Sequence, residues 1–374
     1  MKDWKVRIQA LFDRMDSLSD NVRSRIKRVT GFSRPLMIIP HLGFGTSDKL
    51  FVGGRVLEDK GFTPASEADT TWRNLINMYK RFATDEVPGA RLRALFQGVE
   101  KEVVADNEGY FKLEINPAEP LDPQLWQEVA LELLQPRMRD GQPVSATAHA
   151  LVPSPNARFG VISDIDDTII RTNVANRLKM ILTVVLLNEH TRKPFKGVAA
   201  FYRALHKGAS GEENNPFFYV SSSAWNLYTL LVEFLELQEI PLGPLFLRDF
   251  GDHLIFSSRD HHGHKMSRIR QILTAFPELP FVLVGDSGER DPEIYRETVK
   301  EYPGRIRAIY IRSVVRHPSR LAAIDQLVEE VQHSESQLVL APDSEFAAAH
   351  AAAEGLIATG ELSNIRGDKE NDQA

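Results

Sequence analysis

The sequence predicts an α/β protein, a parallel sheet flanked by helices, preceded by a smaller β-sandwich-like domain. Three observations lead there. Residues 159–163, 216–220 and 281–284 are short and almost wholly apolar, as strands buried on both faces of a parallel sheet are. Helical spacing marks residues 225–237 and the set Met266, Ile269, Ile272, Leu273 and Phe276, so helices separate the second run from the third. Upstream, residues 34–157 carry partly alternating apolar stretches bounded by turn residues, the pattern of half-buried strands.

Taken from the amino terminus, residues 1–33 form an amphipathic helix whose stripe is Trp4, Ile8, Leu11, Phe12, Met15 and Leu18, ringed by basic residues. That stripe fits docking on the protein's own body better than membrane binding. Residues 34–157 form the β-rich domain. Its strands are expected at Met37-Ile38-Ile39-Pro40, 49–56, 90–96 and 110–115, around 124–134 and at 146–152, with a turn at Asp106-Asn107-Glu108-Gly109 and a helical insertion near 71–82. No catalytic constellation stands out there, so it reads as an accessory domain. Residues 158–332 form the catalytic domain. Residues 333–374 read as an alanine-rich acidic tail, with a peripheral helix at 347–353 and disorder over 364–374.

The chemistry sits at the ends of the apolar runs. The first ends in Asp164-Ile165-Asp166-Asp167-Thr168, which puts carboxylates at the carboxyl edge of a buried strand, where open α/β sheets bind ligands. Like charges this close are costly to desolvate, so a cation or shared protons must compensate them. A calcium loop is excluded, because an EF-hand counted from Asp164 needs Gly and Glu where Ile169 and Ala175 stand. The second run ends in Ser221-Ser222-Ser223, a hydroxyl source. Lys265 follows His261-His262-Gly263-His264 and opens a helix, and the three histidines read as a polar loop rather than a zinc site. The third run ends in Gly285-Asp286-Ser287-Gly288-Glu289-Arg290-Asp291.

This ordered series of acid pair, hydroxyl, lysine and acid resembles the four motifs of the haloacid dehalogenase superfamily, over roughly residues 158–316. More finely, Ser163-Asp164-Ile165-Asp166-Asp167-Thr168-Ile169, Tyr219-Val220-Ser221-Ser222-Ser223, Gly243-Pro244-Leu245-Phe246-Leu247-Arg248-Asp249, Val284-Gly285-Asp286-Ser287-Gly288 and Ile309-Tyr310-Ile311-Arg312 resemble the phosphatidate phosphatase catalytic domain of the actin-patch type. Ala224 departs from the pattern, which has Pro before Trp225. The resemblance implies a Rossmann-like sheet and a magnesium-dependent phosphoric monoester hydrolase. Asp164 would be the nucleophile that forms an aspartyl-phosphate, and Asp166 the general acid and then base. Ser221 would bond a phosphate oxygen, with Ser222 or Ser223 as alternatives, and Lys265 would pair with Asp164 and the phosphoryl oxygens. The magnesium ligands would be Asp164, Asp286, the Asp166 carbonyl and Asp291, the last directly or through water. Thr168 would order the loop through a bond to backbone and lie beside the substrate.

Composition removes competitors. With no cysteine among 374 residues, thiolate nucleophiles, Cys-ligated zinc and disulfides are excluded. No G-x-S-x-G elbow or Walker A loop is present. The net charge is −6, with +4 in residues 1–33 and −6 in residues 333–374, which leaves the middle acidic and argues against nucleic acid as a partner. No secretory signal or apolar run of membrane-spanning length is visible, so a cytoplasmic protein is expected, with peripheral membrane contact left open.

The fold and motifs imply a phosphomonoesterase, and the finer resemblance alone implies phosphatidate, cleaved to diacylglycerol and phosphate. A soluble phosphomonoester and a noncatalytic binding protein are the alternatives. Leu178-Lys179-Met180-Ile181-Leu182-Thr183-Val184-Val185-Leu186-Leu187 is either a buried helix or an apolar lip that meets acyl chains. If it is a lip, its burial contributes roughly 25 cal/mol per Å² only when the substrate sits in a bilayer or micelle. Replacing Val184 and Leu187 by Ser is then expected to lower hydrolysis of phosphatidate in mixed micelles and to spare a small soluble phosphomonoester. Parallel loss of both activities with a lower melting temperature would make the segment core.

Overall fold

The computed structural model describes residues 35–58, 86–121, 124–138, 140–165, 168–169, 197–248, 261–314, 318–332 and 336–371. The chain divides into two compact units, one made of Met1–His41, Lys49–Pro120 and Glu128–Ala150, the other of Leu42–Asp48, Leu121–Gln127 and Leu151–Ala374. The expected amino-terminal helix, the insertion near 71–82 and the 178–187 segment lie outside the described residues.

The β unit is built on β1 (Leu36–Gly45), β2 (Leu50–Glu58), β3 (Arg91–Phe96), β4 (Val99–Val104), β5 (Tyr110–Ile115), β6 (Trp126–Gln135) and β7 (Ser145–Leu151). Alternation drives these strands: along β6, Val129, Leu131 and Leu133 are buried while Glu128 and Ala130 are not. The sandwich expectation is corrected here. All seven strands form one sheet, ordered β4-β3-β6-β7-β1-β2-β5, whose end strands β4 and β5 approach each other, so it is nearly closed like a barrel. Rolling a sheet on itself buries one face of every strand and protects both edges, which two stacked sheets would leave open. Strand β4 escapes the sequence pattern because Val99-Glu100-Lys101-Glu102-Val103-Val104 is largely exposed. It is specified by its hairpin instead: Phe96 pairs with Val99 across Gln97 and Gly98, both at positive φ, the two-residue turn that matches strand twist.

The α/β unit carries a six-stranded sheet of β8 (Gly160–Asp164), β9 (Phe217–Ala224), β10 (Leu245–Arg248), β11 (Phe281–Asp286), β12 (Ile306–Arg312) and β13 (Gln337–Ala341). Its order is β10-β9-β8-β11-β12-β13 and every neighbouring pair is parallel. The three apolar runs are thus β8, β9 and β11, as the sequence predicts. Counted within the sheet the order is 3-2-1-4-5-6, the doubly wound arrangement, in which the chain reverses its direction of growth between β8 and β11. Gly160 lets those two strands meet, since a Cβ there would lie 2.4 Å from the Phe281 ring.

The helices are α1 (Val198–Lys207), α2 (Tyr228–Leu237), α3 (His261–Ala275), α4 (Asp291–Glu301), α5 (Pro318–Gln332), α6 (Ser344–Ala353) and α7 (Glu361–Asn371). A 3-10 turn at Trp225–Leu227 leads into α2. They cover both faces of the sheet. On one, Tyr202 of α1 stacks near Phe217 at 5.3 Å, and its hydroxyl meets Ser163 Oγ at 2.7 Å. On the other, Phe276 beyond α3 meets Phe218 at 5.3 Å, one residue along the same strand and so on the opposite face. Two expectations change. His261, His262 and Gly263-His264 begin helix α3 rather than forming a loop, because the buried stripe Met266, Ile269, Ile272 and Leu273 carries the helix over a poor amino-terminal turn. Residues 333–374 are more than a tail: β13 pairs with β12 at the sheet edge, and α6 and α7 pack with α1. No described helix is long and apolar enough to cross a membrane.

One side chain locks the start of β8. Asn215, fully buried, accepts from the amides of Arg158 and Phe159 at 2.9 and 3.3 Å and donates to Leu205 O and the Glu213 carboxylate, both at 2.9 Å. Removing it strands several buried polar groups, each costing on the order of 1–3 kcal/mol. Asn215→Ala is expected to lose about 2–3 kcal/mol in urea unfolding, and a loss below about 0.5 kcal/mol would remove this clamp from the account of the fold.

Candidate active site

Asp164 is the last residue of β8, and the ladder defines what faces it. Ser163 pairs with Tyr219 and Val284, and Asp164 pairs with Val220. Ser221 on β9 and Asp286 on β11 therefore stand one step further along the flanking strands. The carboxyl ends of the three adjacent central strands deliver a carboxylate, a hydroxyl and a second carboxylate to one edge, at the point where the strand order reverses.

Helix α3 brings the cation. Lys265 is buried, and its Nζ lies 2.7 Å from Asp164 Oδ1, 2.7 Å from Asp291 Oδ1 and 2.9 Å from Glu289 Oε2. Burial by itself would favour the neutral amine. The charges of Asp164, Asp291 and Glu289 outweigh that, and the lysine titrates well above the usual range. It is an ammonium throughout the physiological range.

The loop after β11 is shaped by the same residues. Asp286 Oδ1 accepts the amides of Gly288 at 2.5 Å and Glu289 at 3.0 Å. Asp291 opens α4, where Pro292 and the acids of the first turn suit a helix start, and its Oδ2 accepts the Asp286 amide at 3.2 Å. Gly285 makes this fold-back feasible, since a Cβ there would lie 2.5 Å from Asp291 Oδ2. Burial and the nearby Asp291 charge push Asp286 up to about 7 against its amide bonds and Lys265. Burial also raises Asp291, although Lys265 opposes it.

Asp164, Asp286 and Asp291 are all buried, and one carboxylate oxygen of each lies within 4.8 Å of the others. Asp286 Oδ2 is buried without a hydrogen-bond partner among the described residues. Among the described residues, one ammonium faces these three acids and Glu289. Hard oxygen donors, an orphaned carboxylate oxygen and surplus negative charge fit a small divalent cation. Both Asp291 oxygens already serve Lys265 and the Asp286 amide, which leaves Asp286 Oδ2 as the more available donor.

Of the residues singled out from sequence, Asp164, Lys265, Asp286 and Asp291 converge. Ser221 is buried at the neighbouring strand end, where its Oγ accepts the Ser223 amide at 2.9 Å, while Ser222 is partly exposed. Asp166 lies outside the described residues. Thr168 Oγ1 is buried and makes no hydrogen bond among the described residues, and the loop backbone beside it at 166, 167 and 170 lies outside them. Glu289 is the member that sequence reasoning missed. Its signal was its place three residues after Asp286 in a loop that must fold back on the strand end. Ala224 stands extended at φ −81°, ψ 153°, near the region proline itself occupies, so the departure at this position leaves the turn intact.

Residues 159–313 match the family described as the phosphatidate phosphatase APP1 catalytic domain. Phosphatidate phosphatase APP1 of Saccharomyces cerevisiae is 35% identical over 198 residues, which cover 53% of this chain and 32% of the yeast protein. An uncharacterized protein of Schizosaccharomyces pombe is 29% identical over 158 residues, covering 42% of this chain and 25% of that one. The chain thus spans about a third and a quarter of the curated relatives it matches. Among solved structures, a carbohydrate acetylesterase from Xanthomonas citri aligns over 80% of this chain and 75% of its own at 11% identity, with a TM-score of only 0.27. The resemblance read from the motifs is borne out by sequence over residues 159–313, and that segment belongs to the phosphatidate phosphatase catalytic-domain family.

Proposed function

We propose that the chain is a divalent-cation-dependent phosphatase of the haloacid dehalogenase type that hydrolyses phosphatidate to diacylglycerol and phosphate. The observation that carries this reading is the buried constellation at the strand-order reversal: Asp164 held by Lys265, with the Asp286 carboxylate close by and its Oδ2 without a hydrogen-bond partner among the described residues. The doubly wound order supports the superfamily assignment. The substrate comes from the printed name of the matched family and of the yeast relative.

Phosphoryl transfer asks a protein mainly for an in-line nucleophile and for charge neutralisation. Asp164 attacks phosphorus and forms an aspartyl-phosphate as the bond to the leaving oxygen breaks. Asp166, placed by the motif, gives its proton to that oxygen. It then takes one from the water that cleaves the intermediate, releasing phosphate and restoring Asp164. Lys265 aims the nucleophile and offers positive charge to the phosphoryl oxygens. Ser221 offers a hydroxyl to one of those oxygens. A magnesium ion held by Asp164 and Asp286, with the Asp166 carbonyl, would supply further charge stabilisation when bound. Asp291 fixes Lys265 and the Asp286 backbone.

The test is phosphate release by the purified chain from phosphatidate in mixed micelles and from a panel of soluble phosphomonoesters, with and without magnesium. Magnesium-dependent release from phosphatidate is expected, falling to background in Asp164→Asn with an unchanged melting temperature. Turnover by folded Asp164→Asn would sink the nucleophile, and release from soluble esters alone would sink the lipid substrate. In the same assay Asp286→Ala is expected to raise the magnesium concentration for half-activation about tenfold or more, with little change in Ser221→Ala. Equal shifts in both variants would remove Asp286 from the metal shell.

A further inference from the structure

We infer that Arg320, on helix α5 and beyond the residues matched to the family, is a positioning residue that sets the geometry of the acid loop 286–291. Its guanidinium grips that loop at two backbone carbonyls and is itself held by Glu293 of helix α4. Nε donates to Ser287 O at 3.1 Å and Nη2 to Glu289 O at 2.6 Å, while the fork pairs with both carboxylate oxygens of Glu293 on α4. The loop is held at its base as well, where the Ser287 amide donates to Arg312 O and Ser287 Oγ accepts the Val314 amide, each at 2.9 Å.

Peptide planarity converts these bonds into control of Asp286. The Ser287 carbonyl and the Gly288 N–H belong to one trans peptide plane and point in opposite directions. Arg320 pins the carbonyl on one side, so the Gly288 N–H is aimed on the other, at Asp286 Oδ1. The bond to Glu289 O fixes the next part of the loop, whose amide also donates to Asp286 Oδ1 and whose carboxylate meets Lys265. Glu293 orients the guanidinium for this task, and a lysine could hold one carbonyl but not the planar fork. With Oδ1 tied to the Gly288 and Glu289 amides, the placing of the Asp286 carboxylate, including the buried Oδ2 that has no hydrogen-bond partner among the described residues, follows the loop that Arg320 holds. No hydrogen bond joins Arg320 to Asp164 or to Asp286 Oδ2, so its positioning effect passes through the loop; its charge also reaches Asp286 and Asp291 across space, and losing that charge alone would strengthen rather than weaken cation binding.

This inference rests on the cation-dependent reading of the site, and one titration separates the two. Magnesium binding to the purified full-length chain is measured by isothermal titration calorimetry for wild type, Arg320→Ala and Arg320→Lys, alongside melting temperature and the magnesium concentration for half-activation. Arg320→Ala is expected to bind magnesium about tenfold or more weakly, the usual effect of losing a group that orients a metal ligand. Arg320→Lys is expected to fall between. Wild-type magnesium affinity in Arg320→Ala, with or without a lower melting temperature, would reduce the residue to a structural brace and overturn the inference. Should Arg320→Ala fail to fold, Glu293→Gln, which keeps the arginine and weakens its fork, is read in the same titration. Weaker binding supports the inference, and unchanged affinity overturns it. No binding by wild type would overturn the cation reading and this inference together, an outcome distinct from wild type and variant binding equally.

Discussion

One ammonium group among buried carboxylates organises the α/β unit. Asp164, Asp286 and Asp291 are almost completely shielded from water, and each would resist ionisation alone because an isolated charge in a low-dielectric interior is strongly disfavoured. Lys265 offsets that cost for Asp164 and Asp291 at 2.7 Å and for Glu289 at 2.9 Å. The pairing draws in one strand end, two helices and a loop: β8, α3, α4 and the turn after β11. Such a network contributes little net stability over a packed apolar core, since desolvation consumes most of the attraction. Its effect is specificity of arrangement, with Asp164 presented in one orientation and one oxygen of Asp286 left over.

That arrangement depends on where the sheet reverses its order of growth. In a doubly wound sheet the connections after the two central strands run to opposite sides, so their carboxyl ends are not covered by a crossing chain. Here β8 and β11 are those strands, and they end in Asp164 and Asp286. The two glycines that matter serve this meeting: Gly160 admits the Phe281 ring between the strands, and Gly285 admits the Asp291 carboxylate against the strand end.

The sheet continues beyond residues 159–313, the segment matched to the family. Strand β13 completes the edge, α6 and α7 pack with α1, and Arg320 of α5 reaches back to the acid loop. Residues after 313 are therefore part of the same folded body as the site. The β unit contributes none of the converging acids, and its single nearly closed sheet is a self-contained way to bury alternating strands.

What was legible in the sequence was whatever a short segment determines by itself. The runs at 159–163, 216–220 and 281–284 are short, apolar and bounded by polar residues, as buried strands are, so Asp164 and Asp286 could be set at one sheet edge from the sequence, while the choice among Ser221, Ser222 and Ser223 waited on where β9 runs in the sheet. The stripe from Met266 to Leu273 marked α3, and the spacing of motifs marked Lys265. Strand β4 could not be read this way, because its stability comes from pairing and a hairpin turn rather than apolar periodicity. The closure of the β sheet, the inclusion of β13 and the helical turn at His261 depend on partners far along the chain. The same holds for Glu289, Asn215 and Arg320. A sequence records that each is polar; only the fold decides that Glu289 meets Lys265, that Asn215 caps the entry to β8 and that Arg320 holds a peptide plane, because a hydrogen bond exists only once two remote segments are brought within about 3 Å.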